Sequence, residues 1–192
     1  MVFDLVHSCG FFLGTWLSNI VTKVSAGNGL EVDLYGGYGY AFENGISVGA
    51  LGNYYTYPEG KKAGISPKTF NSFEASVYIS YANFTYTYFN VLTDYYGAPN
   101  SKNAYYNELK YGTALPIAGL NFTTKVGYQD SANTGFDQGD FAIGLNRNFA
   151  LPTTAGKAID GFNAGATYSQ LFDKQSGGDK NQTLMIFVKR IW

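Results

Sequence analysis

Few residues in this chain can do acid–base, nucleophilic or metal chemistry, and their positions narrow what that chemistry is. The sequence holds one histidine, His7, and one cysteine, Cys9. A general base is most often a histidine, but His7 ends a half-length apolar run beside a tight turn and reads as a rim residue. Cys9 lies in that turn and reads as a turn substituent. One cysteine permits neither an intramolecular disulfide nor a multi-cysteine metal site. Glu31 and Asp33, two apart, share one face of an extended strand, yet a single carboxylate pair is too few ligands for a cation cage. The run Gly36-Gly37-Tyr38-Gly39-Tyr40 lacks the Gly-Lys-Ser/Thr ending and the following helix of a phosphate loop. These residues predict no enzyme, no cofactor and no metal.

The remaining charged residues matter through their placement. Glu31, Asp33, Glu74, Glu108, Lys110, Lys125, Asp140 and Lys189 all fall in register with small polar neighbours, and apolar residues alternate between them. From Leu30, one row reads Leu30, Val32, Leu34, Gly36, Tyr38, Tyr40 and Phe42, and the other Glu31, Asp33, Tyr35, Gly37, Gly39 and Ala41. Phe73, Ala75, Val77, Ile79 and Tyr81 likewise oppose Glu74, Ser76, Tyr78 and Ser80, and Val126 opposes Lys125. A period of two is the signature of a strand with unlike faces.

Ten such segments follow one another: Phe11–Ile20, Leu30–Phe42, Ile46–Tyr57, Ser72–Ala82, Phe84–Tyr95, Tyr105–Leu115, Leu120–Gln129, Asp140–Phe149, Gly161–Phe172 and Thr183–Trp192. The partial strand Val2–His7 precedes them. Most exceed the usual globular strand of about five to six residues and match the ~9–11 needed to cross a bilayer at a tilt. The connections alternate between tight (Ser8–Gly10, Glu43–Gly45, Asn83, Pro116–Gly119) and long (Val21–Gly29, Pro58–Asn71, Tyr96–Ala104, Asp130–Gly139, Asp173–Gln182). That asymmetry is typical of outer-membrane barrels, with short periplasmic turns and longer external loops. Ala150–Asp160 departs from it, being long where a tight turn is due.

Composition agrees. The 192 residues suit one domain, 1–192, and 13 basic against 14 acidic residues leave a net charge of −1, which gives no reason to expect nucleic acid as partner. Charged residues are only 14% of the chain and aromatic ones 18%, against ~25% charged in ordinary soluble domains. Every apolar stretch is interrupted well short of a membrane-spanning helix. Met1–Trp16 carries Asp4, has no Lys or Arg, and does not read as a secretory signal. The last strand places Leu184, Ile186, Val188 and the terminal Trp192 on one row, the pattern of the tag read by the barrel-insertion machinery. Arg190 interrupts that row, where a long cation near a strand end can snorkel to the headgroups. Adjacent tyrosines (Tyr54-Tyr55, Tyr86 and Tyr88, Tyr95-Tyr96, Tyr105-Tyr106) read as interfacial girdles in preference to sugar-stacking platforms.

Two stretches, Gly10-Phe11-Phe12-Leu13-Gly14-Thr15-Trp16-Leu17-Ser18-Asn19 and Gly29-Leu30-Glu31-Val32-Asp33-Leu34-Tyr35-Gly36-Gly37-Tyr38, resemble the front half of TorF-family porins, a bacterial outer-membrane family long catalogued as conserved but hypothetical. The resemblance implies a single outer-membrane barrel acting as a passive pore, and brings no catalytic or ligand-binding residues with it. In that family a signal peptide, a first strand and a hairpin come before the segment matched by Val2–His7. The resemblance thus implies a chain lacking its signal peptide and about one and a half strands, from a barrel of twelve, with a small polar residue usual at Cys9 and Phe more usual than Trp at the end.

The expectation is an all-β, antiparallel transmembrane barrel of ten full strands plus a partial first one. It has lipid on the outside, ions or small polar solutes within, the insertion machinery as partner and a bacterial outer membrane as location. The eight charged residues line a mixed, mildly acidic lumen. With its first strand missing, the barrel should close incompletely at the amino end. Two other readings use the same strands: a soluble lipocalin-like barrel, with apolar rows inward and charges outward, and a non-conducting structural or adhesive outer-membrane barrel working through its loops.

Overall fold

The computed structural model describes residues 2–20, 29–58, 70–134, 137–152, 158–173 and 182–190. Eleven strands follow one another: β1 (Val2–Val6), β2 (Phe11–Asn19), β3 (Leu30–Ala41), β4 (Ile46–Thr56), β5 (Ser72–Tyr81), β6 (Phe84–Val91), β7 (Tyr105–Ala114), β8 (Leu120–Asp130), β9 (Gln138–Pro152), β10 (Ala158–Asp173) and β11 (Gln182–Arg190). They form one sheet in sequence order, and each pairs antiparallel with the next. Among the described residues the only helical pieces are the short 3-10 turns Tyr95–Gly97 and Ala132–Thr134.

The tight connections close where the chain offers residues that accept positive φ. Gly10 (φ 100°) donates its N–H to the His7 carbonyl, and Gly45 (φ 84°) does the same to Phe42. Glycine meets no Cβ clash there. The apolar–polar alternation then sets the register: Ala50 faces Val77 and Val77 faces Tyr88, while Asn53 faces Glu74 and Gly127 faces Asp140. A slip by one residue would exchange the faces of a whole strand.

One face of the sheet is apolar and exposed, and the other is polar and covered. Val77 is 55% exposed, and Leu34, Ile79, Ile143, Leu145 and Ile186 are also exposed. Its neighbour Ser76 is 7% exposed, and Ala142, Asn163 and Asp33 on the same face are buried. Among the described residues no second layer packs on this polar face, so curvature must cover it. A single cavity of about 580 Å³ is lined by Tyr55 and Glu74 from β4 and β5 and by Thr167 and Leu171 from β10. Strands lie about 4.8 Å apart, so a flat sheet would set β4 and β10 too far apart to share it.

The sheet is not closed: β1 and β11 are its two edges, in keeping with the incomplete closure expected at the amino end, and what the strands form is one open antiparallel sheet. Two sequence expectations need correction. Strand β6 ends at Val91, not Tyr95, because the chain turns inward after Thr93, whose Oγ1 accepts the Phe73 N–H at 2.9 Å. Strands β9 and β10 run into what read as the long connection Ala150–Asp160, pairing Leu151 with Ile159 and Pro152 with Ala158. A bulge between Ile159 and Phe162 absorbs one extra residue, with Gly161 at φ 89°, the usual role of glycine in a bulge. Of the five long connections, only Tyr96–Ala104 lies wholly within the described residues, and Trp192 lies outside them.

Candidate functional site: the polar face and its cavity

The pairing register places all eight charged positions on the polar face, but the structure groups them unevenly. Glu108 on β7, Lys125 on β8 and Asp140 on β9 come together. The Lys125 ammonium lies 3.0 Å from Glu108 Oε2 and 3.3 Å from Asp140 Oδ1, and it donates to the Tyr106 hydroxyl at 3.1 Å. Tyr106 in turn donates to Asp140 Oδ2 at 2.8 Å. The ammonium gives two of its three N–H donors to Tyr106 and Glu108 and pairs with Asp140 by charge. Two carboxylates against one ammonium leave the cluster with a net charge of −1.

Two of the other acids are held by tyrosines. Tyr57 donates to Glu31 Oε2 at 2.7 Å, and Tyr55 donates to Glu74 Oε1 at 3.2 Å. Asp33 is 6% exposed, and its Oδ1 has no hydrogen-bond partner. Lys110 shares the face with Lys125, its register partner on β8, and is exposed. Lys189 faces Asn163 across β10–β11, but stands exposed at the open edge with its ammonium 5.7 Å from the Phe187 ring. Leu184, Ile186 and Val188 lie on the apolar face and are exposed. The Arg190 guanidinium sits 5.3 Å from the Phe162 ring.

The polar face has two halves. Near the tight turns amides and hydroxyls pair, Asn163 donating to Asn146 Oδ1 at 3.0 Å and to Asn148 Oδ1 at 2.6 Å and Ser80 pairing with Thr85, with Lys110 and Lys189 in register with Thr85 and Asn163. Near the long connections lie the carboxylates, Lys125 and the cavity. The 3-10 turn Tyr95–Gly97 folds over this end, held by Ser101, whose Oγ accepts the Tyr95 N–H at 2.7 Å and donates to the Ala98 carbonyl at 2.6 Å. Tyr95 and Tyr96 therefore line the cavity with Tyr55 and Tyr106. Tyr96 packs against Tyr55, Tyr57 and Tyr95 with ring centroids 5.7, 6.1 and 4.7 Å away. Burial pushes the hydroxyls of Tyr57, Tyr95 and Tyr96 to pKa values above the ordinary phenol. Gln129 donates to Tyr95 at 2.6 Å and closes the far side.

These tyrosines are the residues that the girdle reading misplaced. Neighbours on a strand point to opposite faces, so Tyr54 is exposed while Tyr55 lines the cavity, and Tyr106 shares the row of Glu108 while Tyr105 belongs to the alternate row and touches only the cavity's rim. The signal was present in the parity: Tyr55 and Tyr106 occupy the same rows as Asn53 and Glu108. Tyr86 and Tyr88 do lie on the apolar face, opposite Ile79 and Val77.

His7 and Cys9, treated separately in the sequence, are brought together. The Cys9 Sγ lies 2.8 Å from His7 Nδ1, which also accepts the Cys9 N–H at 3.2 Å. Both are exposed in the β1–β2 turn, and neither lines the cavity. Among the described residues no group of three or more His, Cys, Asp or Glu could hold a metal ion, and no helix is long and apolar enough to cross a membrane.

A bacterial family model described as "Bacterial protein of unknown function (Gcw_chp)" matches residues 1–191. No curated protein and no solved structure matches the chain.

Proposed function

The chain belongs to this bacterial family of unknown function, and with no activity to inherit from it we propose, from its own geometry, that it is a narrow outer-membrane porin of the TorF type. In this reading the sheet is a transmembrane barrel that passes ions or small polar solutes by diffusion. One observation carries it: the apolar residues are exposed and the polar ones covered, as in Val77 beside Ser76. Such an arrangement is unfavourable in water, where it leaves a large apolar surface exposed. It is favourable in a bilayer, where lipid meets the apolar rows and the charged rows avoid hydrocarbon.

The strand directions are compatible with closure in this reading. With eleven strands, each antiparallel to the next, β1 and β11 run in the same direction. One further strand, antiparallel to both, satisfies the two edges and gives a barrel of twelve. That size is intermediate between filled eight-stranded barrels and wide sixteen-stranded pores. The charged half of the polar face, narrowed by Tyr95 and Tyr96, is then the constriction. Its acids outnumber its bases, so it favours cations weakly. Leu184, Ile186 and Val188 serve as part of the insertion signal.

A soluble ligand-binding barrel would need the opposite sidedness, and a purely adhesive barrel would carry no current. The test is single-channel recording of the refolded protein in a planar bilayer. Steps of fixed amplitude with a modest cation preference are expected. A protein that inserts without conducting would overturn the porin reading and favour the adhesive one.

A further inference from the structure

We infer that the polar face carries a cation site at the long-connection end of β3 and β4, with Asp33 and Asn53 as its protein ligands. The inference goes beyond the porin reading and does not depend on conduction. Asp33 Oδ1 and Asn53 Oδ1 are both fully covered side-chain oxygens without a hydrogen-bond partner. Asp33 pairs with Tyr55 and Asn53 with Tyr35 across the same two strands, so the two orphaned acceptors are diagonal neighbours on one face, within side-chain reach of each other.

A covered oxygen without a donor is costly, most of all on a carboxylate. The neighbouring tyrosines already donate elsewhere. Tyr55 gives its proton to Glu74, Tyr57 to Glu31, and Tyr35 to Asp4. Two acceptors without a donor are satisfied together by a cation. Glu31, two residues from Asp33 on the same row, adds negative charge beside them.

The ligand chemistry selects the cation. A carboxylate and an amide carbonyl are hard oxygen donors, with no histidine or thiolate among them, which suits a calcium-type ion that completes its shell with water and disfavours soft metals.

Terbium is the probe, because it replaces calcium at oxygen sites and its emission is sensitised by nearby tyrosines such as Tyr35 and Tyr55. Titrated into the full chain refolded in detergent, Tb3+ should give saturable sensitised emission that Ca2+ displaces. Asp33→Asn should weaken it on the order of tenfold or more, since affinity follows ligand charge. Glu43→Gln, in the exposed Phe42–Gly45 turn, should leave it unchanged. Asn53→Asp keeps the shape of the site and should tighten binding, which guards against a poorly folded Asp33 variant. Absence of sensitised emission, or emission that neither Asp33→Asn nor Asn53→Asp alters, would overturn the assignment.

Discussion

The ring of Tyr106 lies directly across Gly127, and a Cβ at position 127 would overlap it. Glycine on β8 is what lets a β7 side chain lie flat against the sheet and reach Lys125 and Asp140. The same relation recurs where Tyr35 covers Gly14 and Tyr78 covers Gly49. A few of the 24 glycines, Gly14, Gly39, Gly49 and Gly127, are therefore space for tyrosine on the polar face.

Gly127→Val should displace Tyr106 and break its bonds to Lys125 and Asp140 together. Overpacking of this kind costs about 1–3 kcal/mol, and thermal unfolding in detergent followed by circular dichroism should show the fall. Gly112→Val is the control, because a Cβ at Gly112 meets only ordinary contacts, the nearest at 3.7 Å. Equal losses in the two variants would refute the packing argument.

Lys125→Met removes the single ammonium between Glu108 and Asp140 and changes the net charge of the cluster from −1 to −2. The side chains of Lys125 and Glu108 are 36% and 20% exposed, so solvent screens part of the effect and the stability cost should be about 1–3 kcal/mol. Reversal potentials under a salt gradient should move toward cations. Glu108→Gln combined with Asp140→Asn should move them toward anions.

Sidedness can be tested on adjacent residues. Val77→Arg places a charge on the exposed apolar face and should reduce folding into lipid vesicles by about 2–4 kcal/mol if it lies near the midplane. Thr87→Arg, on the polar face opposite Tyr78, should cost much less. The reverse order would place the apolar rows away from lipid.

Strand existence and sidedness were legible in the sequence because alternation with period two is a direct imprint of one face meeting a different environment from the other. That is why Val77, Val126, Glu74 and Lys125 were assigned to their faces from spacing alone. Strand ends were less legible. The end of β6 depends on Thr93 bonding to Phe73 on another strand, and the extra pairs of β9 and β10 depend on a bulge at Gly161. Both are tertiary facts without a local signature. The Glu108–Lys125–Asp140 cluster required the register of three strands, and the inward folding of Tyr95 and Tyr96 required the buried Ser101.

Alkaline titration reports on that folded turn. Burial raises the Tyr57, Tyr95 and Tyr96 hydroxyls above the ordinary value of 10.0. A group with a raised folded-state pKa contributes stability that is complete below its unfolded value and lost as pH climbs through the folded one. The absorbance of these three as phenolates should therefore appear in a late phase above the ordinary phenol range, as the Tyr95–Gly97 turn releases. Tyr96→Phe should diminish the late phase. A single phase near 10 would show the turn to be solvated.

The central claim is that lipid covers the apolar rows while water fills the polar side, and cysteine accessibility in vesicles tests it most directly. In a Cys9→Ser background, Thr123→Cys and Val126→Cys place thiols on opposite faces of β8, three residues apart. A charged, membrane-impermeant thiol reagent should label position 123 and spare 126, while a nitroxide on the lipid chains should quench a fluorophore at 126 and spare 123. Labelling at 126 with lipid quenching at 123, or free labelling at both, would contradict the claim.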